Sequence, residues 1–187
     1  MDRNFYDRIS FLQKFKFENK IHGDISMKAV ISLPIHMHDG AELLYVLEGS
    51  VRVKISFNYY DLSQGDFLLI NTFEVHSVEK ISEHNILLLL SCNDNIFGSK
   101  EYFFAFDPYF YRNFYKSKVE KVKKDMVKFY IEREENPDNP DKAVVLLNEI
   151  GDICIGYFQI QNFDPIHKSE SPLLENPAKL NRIGNTF

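Results

Sequence analysis

The chain has no tryptophan, no long apolar run and only two cysteines, Cys92 and Cys154, among its 187 residues. Two cysteines cannot build the disulfide framework of a small secreted domain, so they fit a reducing compartment. The longest aliphatic run, Ile86 to Leu90, is far short of the roughly 20 residues that a membrane-spanning helix needs. The N-terminus is charged and polar and no apolar stretch follows it, so we expect no secretory signal. These absences predict a cytoplasmic protein that does not contact a membrane.

The chain also lacks an excess of positive charge. Lysine and arginine total 22 against 27 aspartates and glutamates, which gives a net charge of −5. Proteins that grip the phosphates of nucleic acid carry a basic excess, so we do not expect these residues to bind DNA by themselves. The composition, 44% apolar and 26% charged, is ordinary for a globular domain.

The segment from about Ser26 to Ser91 alternates apolar and polar residues with a period of two, which predicts short antiparallel strands. The clearest is Val51–Phe57, whose apolar residues share one face, and a tight turn is predicted after it at Asn58–Tyr59. Two fully apolar runs, Phe67–Ile70 and Ile86–Leu90, are typical of strands that are covered on both faces. Many short strands of this kind favour a sandwich or a barrel.

After Lys116 the apolar residues recur at spacings of three and four, which indicates amphipathic helices. Asn139 and Pro140 predict the start of a second helix, as its cap and first helical residue, so the two helices form an antiparallel hairpin. The apolar stripes either pack on the chain's own sheet or form a two-fold subunit interface. In the second case the dimer interface includes residues of the second helix: Leu147, Ile150, Cys154 and Tyr157.

Four side chains that can ligate a metal, or bind a polar ligand, stand where a folded sheet can bring them together: His36, His38, Glu42 and His76. Residues two apart on a strand face the same side, so His36 and His38 project together. Three imidazoles and a carboxylate suit a divalent transition metal such as Zn, Mn, Fe or Ni, with positions left open for a ligand. The same groups also suit direct recognition of a hydroxyl-rich or acidic molecule, so the spacing leaves both roles open.

Asn71 and Phe73 are further candidates for ligand binding. Tyr45 ranks below them, because strand parity places it on the face opposite to Glu42 unless a bulge intervenes. The remaining histidines fit no pattern and are expected at the surface: His22, His84 and His167.

Two stretches of the chain resemble the motifs of the cupin superfamily. The spacing His36-x-His38-x3-Glu42-x6-Gly49 is similar to the first motif, with Val30 where that motif opens with glycine. The spacing Gly65-x5-Asn71-x-Phe73-x2-His76 is similar to the second motif. In the second motif Asn71 and Phe73 replace the usual proline and glycine, and Lys80 replaces the closing asparagine.

The wider stretch Leu33–Leu90 resembles the sensor domain of AraC-family transcription regulators, and the helical hairpin follows it in that family's order. The resemblance implies a mostly β fold, a cupin-type (double-stranded β-helix, or jelly-roll) barrel followed by an antiparallel α-helical hairpin. It implies a barrel with an N-terminal arm over residues 1–115, dimerisation helices over 116–163 and a linker over 164–187. The linker would lead to a helix-turn-helix domain that this chain does not include.

The same resemblance implies a function. The barrel would bind a small-molecule effector, such as a sugar, without a required cofactor, and the helices would form a homodimer. DNA would be contacted only through the further domain. Residues 1–14 would form an arm over the effector, with Phe5, Tyr6 and Phe11 as contacts; an ordinary edge strand or a frayed terminus is the alternative for this segment.

Two other functions fit the same residues. A metal-dependent cupin enzyme, an oxygenase or an isomerase, would hold its metal with His36, His38, Glu42 and His76. A stand-alone sugar-binding cupin would use the same pocket with no link to DNA. Under the regulator hypothesis no residue is assigned a catalytic role.

Overall fold

A computed structural model of the chain describes residues 12–13, 21–93, 96, 104 and 107–158. The predicted arm residues Phe5, Tyr6 and Phe11, the predicted linker over 164–187 and His167 lie outside the described residues. The strands found within the described part are β1 (Leu12–Gln13), β2 (Gly23–Lys28), β3 (Ser32–His38), β4 (Ala41–Glu48), β5 (Ser50–Ile55), β6 (Asn58–Ser63), β7 (Phe67–Ile70), β8 (His76–Lys80) and β9 (Ile86–Cys92).

These strands form two sheets that face each other across an apolar core. One sheet has the order β1-β3-β8-β5-β6 and the other the order β2-β9-β4-β7. Strand β5 shows the predicted alternation, because Val51, Val53 and Ile55 are buried while Arg52 is exposed. The apolar runs in β7 and β9 are also strands, and most of their residues are buried. The sequence pattern therefore predicted the core of the barrel correctly.

The turn that follows β5 lies two residues earlier than predicted. Ile55 pairs with Asn58 across the hairpin, so the turn consists of Ser56 and Phe57 rather than Asn58–Tyr59. Ser56 adopts a left-handed conformation with φ of 52°, which non-glycine residues visit only occasionally. Phe57 is consequently 82% exposed and does not join the buried face of β5.

In the described residues the strands are followed by the helices α1 (Pro108–Phe114), α2 (Lys116–Glu135) and α3 (Asp141–Tyr157). Helix α3 begins one residue later than expected, and Asn139 Oδ1 accepts a 3.4 Å hydrogen bond from the Asp141 N–H. Helices α2 and α3 pack against each other as the predicted hairpin. Helix α2 contacts β2 and β9, and Leu147 of α3 lies against Gly23 of β2. The hairpin therefore covers the outer face of the four-stranded sheet.

This packing corrects most of the predicted dimer interface. Leu147 is 2% exposed, and Ile150 and Cys154 are fully buried within the single chain. A residue that is covered by its own chain cannot also contact a partner, so these three belong to the core. Tyr157 is 39% exposed and remains accessible. Of the two alternatives for this stripe, packing on the chain's own sheet is the one observed.

The chain is thus mostly β, a cupin-type jelly-roll barrel followed by an antiparallel helical hairpin. Among its described helices, none combines the length and the apolar character that crossing a bilayer requires.

Candidate functional site

The four predicted ligating side chains converge at one end of the barrel, between the two sheets. His36 near the end of β3 pairs directly across the strands with His76 at the start of β8. His38 lies two residues further along β3, and the bend at Asp39 and Gly40 carries the chain to Glu42 on β4. Ring centroids of the histidines lie 4.7 Å (36–38), 4.2 Å (36–76) and 5.1 Å (38–76) apart. The two sheets thus contribute to one compact cluster.

The cluster is almost fully removed from solvent. His36, His38, Glu42 and His76 are between 2% and 7% exposed. The Oε2 atom of Glu42 lies 3.4 Å from Nε2 of His76 and 3.7 Å from Nε2 of His38. One possible ligand atom from each of the four residues falls within 4.8 Å of all the others. The cluster therefore has the compactness of a metal site.

Backbone carbonyl groups orient two of the imidazole rings. The Nδ1 atom of His36 lies 2.7 Å from the carbonyl oxygen of Pro34, and Nδ1 of His76 lies 2.8 Å from that of Glu74. A carbonyl only accepts hydrogen bonds, so each Nδ1 must carry the proton and donate it. Each Nε2 then presents a lone pair, which is the arrangement that outer-sphere carbonyls impose on histidine ligands of metals.

Burial and the neighbouring imidazoles set the charge states of the cluster. Burial alone would raise the pKa of Glu42, but the adjacent side chains of His38 and His76 outweigh it and hold that pKa at about 2. Burial, and next the proximity of His76, lower the pKa of His36. Glu42 is therefore an anion at neutral pH, and burial keeps the His36 ring in its neutral, ligating form.

The donor set fits a divalent transition metal. In the described part of the chain, Nε2 of His76 is buried and has no hydrogen-bond partner. A buried polar nitrogen without a partner is costly unless something else satisfies it. Neutral imidazoles and a carboxylate are ligands that zinc, manganese, iron and nickel accept. The cluster of His36, His38, Glu42 and His76 could thus hold such an ion, or bind a polar molecule directly.

Asn71, a predicted ligand-binding residue, is bonded within the protein, and its role in ligand binding stays a prediction. Its Nδ2 donates to the carbonyl oxygen of Phe104 at 2.9 Å and to Glu74 Oε2 at 3.1 Å. Its Oδ1 accepts a 2.7 Å hydrogen bond from the Phe104 N–H. Both groups of the amide are engaged within the protein, so a ligand could bind them only by displacing these bonds.

Phe73 lies in the turn that precedes His76 and is 46% exposed. Its φ of 59° is left-handed, which explains why the second cupin motif has glycine at this position. The Phe73 N–H donates to the carbonyl oxygen of His38 at 2.8 Å. The turn is therefore attached to the site, and the role of the Phe73 ring in ligand binding stays a prediction.

Tyr45, His22 and His84 lie where the sequence predicts them. Tyr45 faces away from the cluster, because its ring lies 5.3 Å from the Lys123 ammonium on α2. His22 and His84 are exposed, as predicted. Glu74 and Phe104 were missed. Their spacing does not link them to the histidines. Glu74 contacts His76 through its backbone carbonyl oxygen, and Phe104 contacts Asn71 through its backbone N–H and carbonyl groups.

Comparison with known families gives one partial match. A model of the AraC-like ligand-binding domain matches residues 29–91, which include all four residues of the cluster. This segment is about a third of the chain. No curated protein matches the chain.

Several solved structures resemble part of the chain. A cupin superfamily protein from Desulfitobacterium hafniense is 17% identical, with 43% of this chain and 75% of that one covered and a TM-score of 0.38. An HTH_3 family transcriptional regulator from Vibrio cholerae is 17% identical over 42% and 47% of the two chains, with a TM-score of 0.38. A predicted oxalate decarboxylase from Thermotoga maritima is 20% identical over 37% and 64%, with a TM-score of 0.35. None of these similarities is evidence about the function of this chain. Residues 29–91 are thus similar to AraC-like ligand-binding domains, within a chain that folds as a cupin barrel and a helical hairpin.

Proposed function

We propose that the barrel is the effector-sensing part of an AraC-type transcription regulator and that it binds a small polar metabolite, such as a sugar. The observation that supports this most directly is the convergence of three imidazoles and a carboxylate inside a domain similar to AraC-like ligand-binding domains. In this proposal residues 1–115 sense the effector, 116–163 form a homodimer, and 164–187 link to a DNA-binding domain. The protein would work in the cytoplasm, which suits its two buried cysteines, neither of which is in a disulfide.

The cluster can recognise an effector in either of two ways. Glu42 is a buried anion that accepts hydrogen bonds, and the lone pairs of the imidazole nitrogens do the same, so together they suit the hydroxyl groups of a polyol. Alternatively His36, His38, Glu42 and His76 would hold a divalent metal, which supplies a Lewis acid for an oxygen atom of the effector. In both cases the protein positions the effector against the same end of the barrel.

Binding can be tested by thermal unfolding with ZnCl2 and, separately, with a panel of monosaccharides. A ligand present at about 100 times its Kd is expected to raise the Tm by roughly 5–10 °C for a chain of this size. Glu42→Gln and His36→Ala should abolish the rise, because each removes one group of the cluster. His84→Ala, which changes an exposed histidine, is the matched control and should keep it. If neither zinc nor any sugar raises the Tm, the proposed ligand class is wrong.

A homodimer is the second part of the proposal, and it uses the outer face of the hairpin. Ile131 of α2 and Val145 of α3 are 45% and 56% exposed. They line a groove of about 550 Å³ together with charged and apolar neighbours, including Lys128, Glu132, Lys142 and Leu146. An isologous interface needs a self-complementary surface, and the apolar walls of the groove, with charges of both signs at its sides, support its use as one.

The second candidate function is a metal-dependent cupin enzyme, an oxygenase or an isomerase. The observation that favours it is the same donor set, with imidazole Nε2 atoms oriented by the Pro34 and Glu74 carbonyl groups. Such an enzyme requires its metal, whereas a sensor binds its effector with or without one. Metal analysis after purification without chelators separates the two. About one equivalent of metal per chain, together with substrate turnover that chelation abolishes, would favour the enzyme.

A further inference from the structure

The turn between β7 and β8, residues 71–74, is bonded to two of the site histidines. The Phe73 N–H donates to the backbone carbonyl of His38 at 2.8 Å, and the Glu74 carbonyl accepts the Nδ1 proton of His76 at 2.8 Å. A shift of either histidine therefore acts directly on this turn. The converse also holds, because the turn fixes the orientation of the His76 ring.

The turn is also bonded to a segment that is distant in sequence. Asn71 makes a reciprocal pair of hydrogen bonds with the backbone of Phe104, with the amide donating at 2.9 Å and accepting at 2.7 Å. The Asn71 side chain is thus bonded to both backbone groups of Phe104. Phe104 is 2% exposed, so its backbone groups would be costly to leave without partners.

Glu74 braces Asn71 in this position. Its carboxylate accepts from the Asn71 backbone N–H at 3.0 Å and from the Asn71 amide at 3.1 Å. Glu74 therefore contacts His76 through its carbonyl oxygen and Asn71 through its side chain. A continuous series of hydrogen bonds therefore links the His76 ring to the Phe104 backbone through Glu74 and Asn71.

The segment after Phe104 leads directly to the helices. Helix α1 begins four residues later at Pro108. Its Tyr111 stacks on Tyr115 with centroids 5.4 Å apart and meets Phe158, just past the end of α3, at 5.0 Å. Helix α1 therefore packs against the C-terminal end of the hairpin, while Phe104 is bonded to the turn that carries the site.

We propose that Asn71 is a positioning residue that couples the state of the histidine cluster to the segment entering α1, through its paired hydrogen bonds with the Phe104 backbone. Its use in effector sensing rests on the proposed function, but the coupling itself is a property of the fold. The resemblance to the second cupin motif places proline here, and proline has no amide side chain with which to make these bonds. The departure from the motif is thus the feature that connects the site to the helices.

The test is a double-mutant cycle that needs no ligand, read by amide hydrogen exchange of the peptide covering residues 104–114. His76→Ala is expected to raise the exchange rate about fivefold, an effect typical of residues that share one hydrogen-bond network. In the Asn71→Ala background the same substitution should change the rate by less than about twofold. An equal rise in both backgrounds would overturn the proposal.

Asn85→Ala is the matched control for lost stability. Asn85 makes the same reciprocal pair of bonds, with the backbone of Val30 at 2.9 and 2.8 Å, at the opposite end of the barrel. In the Asn85→Ala background the response to His76→Ala should stay complete.

If Asn71→Ala does not fold, Asn71→Asp replaces it, because the carboxylate keeps the shape and the acceptor for the Phe104 N–H. Glu74→Gln keeps an oxygen acceptor for the Asn71 amide, so the coupling should survive it.

A parallel titration with ZnCl2 separates this proposal from the proposed function. If zinc binds and slows exchange in residues 104–114 of the unsubstituted chain and of Asn85→Ala, but not of Asn71→Ala, the coupling is supported. If zinc does not bind while the cycle is non-additive, metal binding fails and the coupling stands. If zinc binds and the cycle is additive, the site stands and the coupling is wrong.

Discussion

Phe73 holds a left-handed backbone conformation that costs an L-residue roughly 1–2 kcal/mol. Phe73→Gly relieves this strain but adds freedom to the unfolded chain, worth about 0.5–1 kcal/mol. We therefore expect the free energy of unfolding to stay constant or to rise by up to about 1 kcal/mol, as measured by urea denaturation. Thr72→Gly, at the neighbouring residue without positive φ, should lower it. A clear loss of stability in Phe73→Gly would mean that packing of the ring outweighs the strain.

At the level of single residues, the sequence predicted the cluster and not its surroundings. Spacing alone brings His36, His38 and Glu42 together, because two-residue periodicity and a short bend leave few other arrangements. Asn71 is predicted as a ligand-binding residue from its place in the motif that ends at His76. Its actual partner, the backbone of Phe104, is separated from it by 33 residues. A backbone partner leaves no trace in residue type, so sequence reasoning could not identify it.

At the level of secondary-structure elements, Lys123 joins α2 to the barrel. Its side chain is 9% exposed, pairs with Glu120 and donates a 2.9 Å hydrogen bond to the carbonyl oxygen of Gly65. Lys123→Met keeps the apolar stem but leaves that carbonyl without its donor, so we expect the free energy of unfolding to fall by about 1–3 kcal/mol. Lys124→Met, at an exposed neighbouring lysine, should change it by less than about 0.5 kcal/mol. Equal effects of the two substitutions in chemical denaturation would show that the attachment through Lys123 contributes nothing.

The elements themselves were predicted from periodicity, and their partners were not. The spacing of Val119, Val122 and Met126 correctly gave an amphipathic α2, and the same pattern gave α3. Whether such a stripe meets its own sheet or a second subunit depends on tertiary packing, which the stripe does not encode. The β5–β6 turn was misplaced for a related reason. Left-handed φ at a serine has no marker of the kind that glycine provides.

At the level of the whole molecule, the dimer proposal depends on the hairpin surface that remains after α2 and α3 have packed on the barrel. Val145→Asp places a charge in the apolar wall of the groove, and burying a charge in an interface is costly. We expect the dimer dissociation constant to rise at least about tenfold, as measured by sedimentation equilibrium at micromolar concentrations. The folded monomer should keep its stability, because Val145 is 56% exposed.

The matched control for that experiment lies on the other sheet. Phe57 is an apolar residue that is 82% exposed in the β5–β6 turn, so Phe57→Asp makes the same kind of change away from the hairpin. It should leave the dissociation constant unchanged. Ile131→Asp, on the facing helix of the same groove, should weaken association as Val145→Asp does, since a two-fold interface uses both walls of the groove. A monomeric protein at high micromolar concentration, or a dimer that is insensitive to both groove substitutions, would contradict an interface on this face. The effect of effector binding in the barrel would then have to be transmitted through a different surface of the protein.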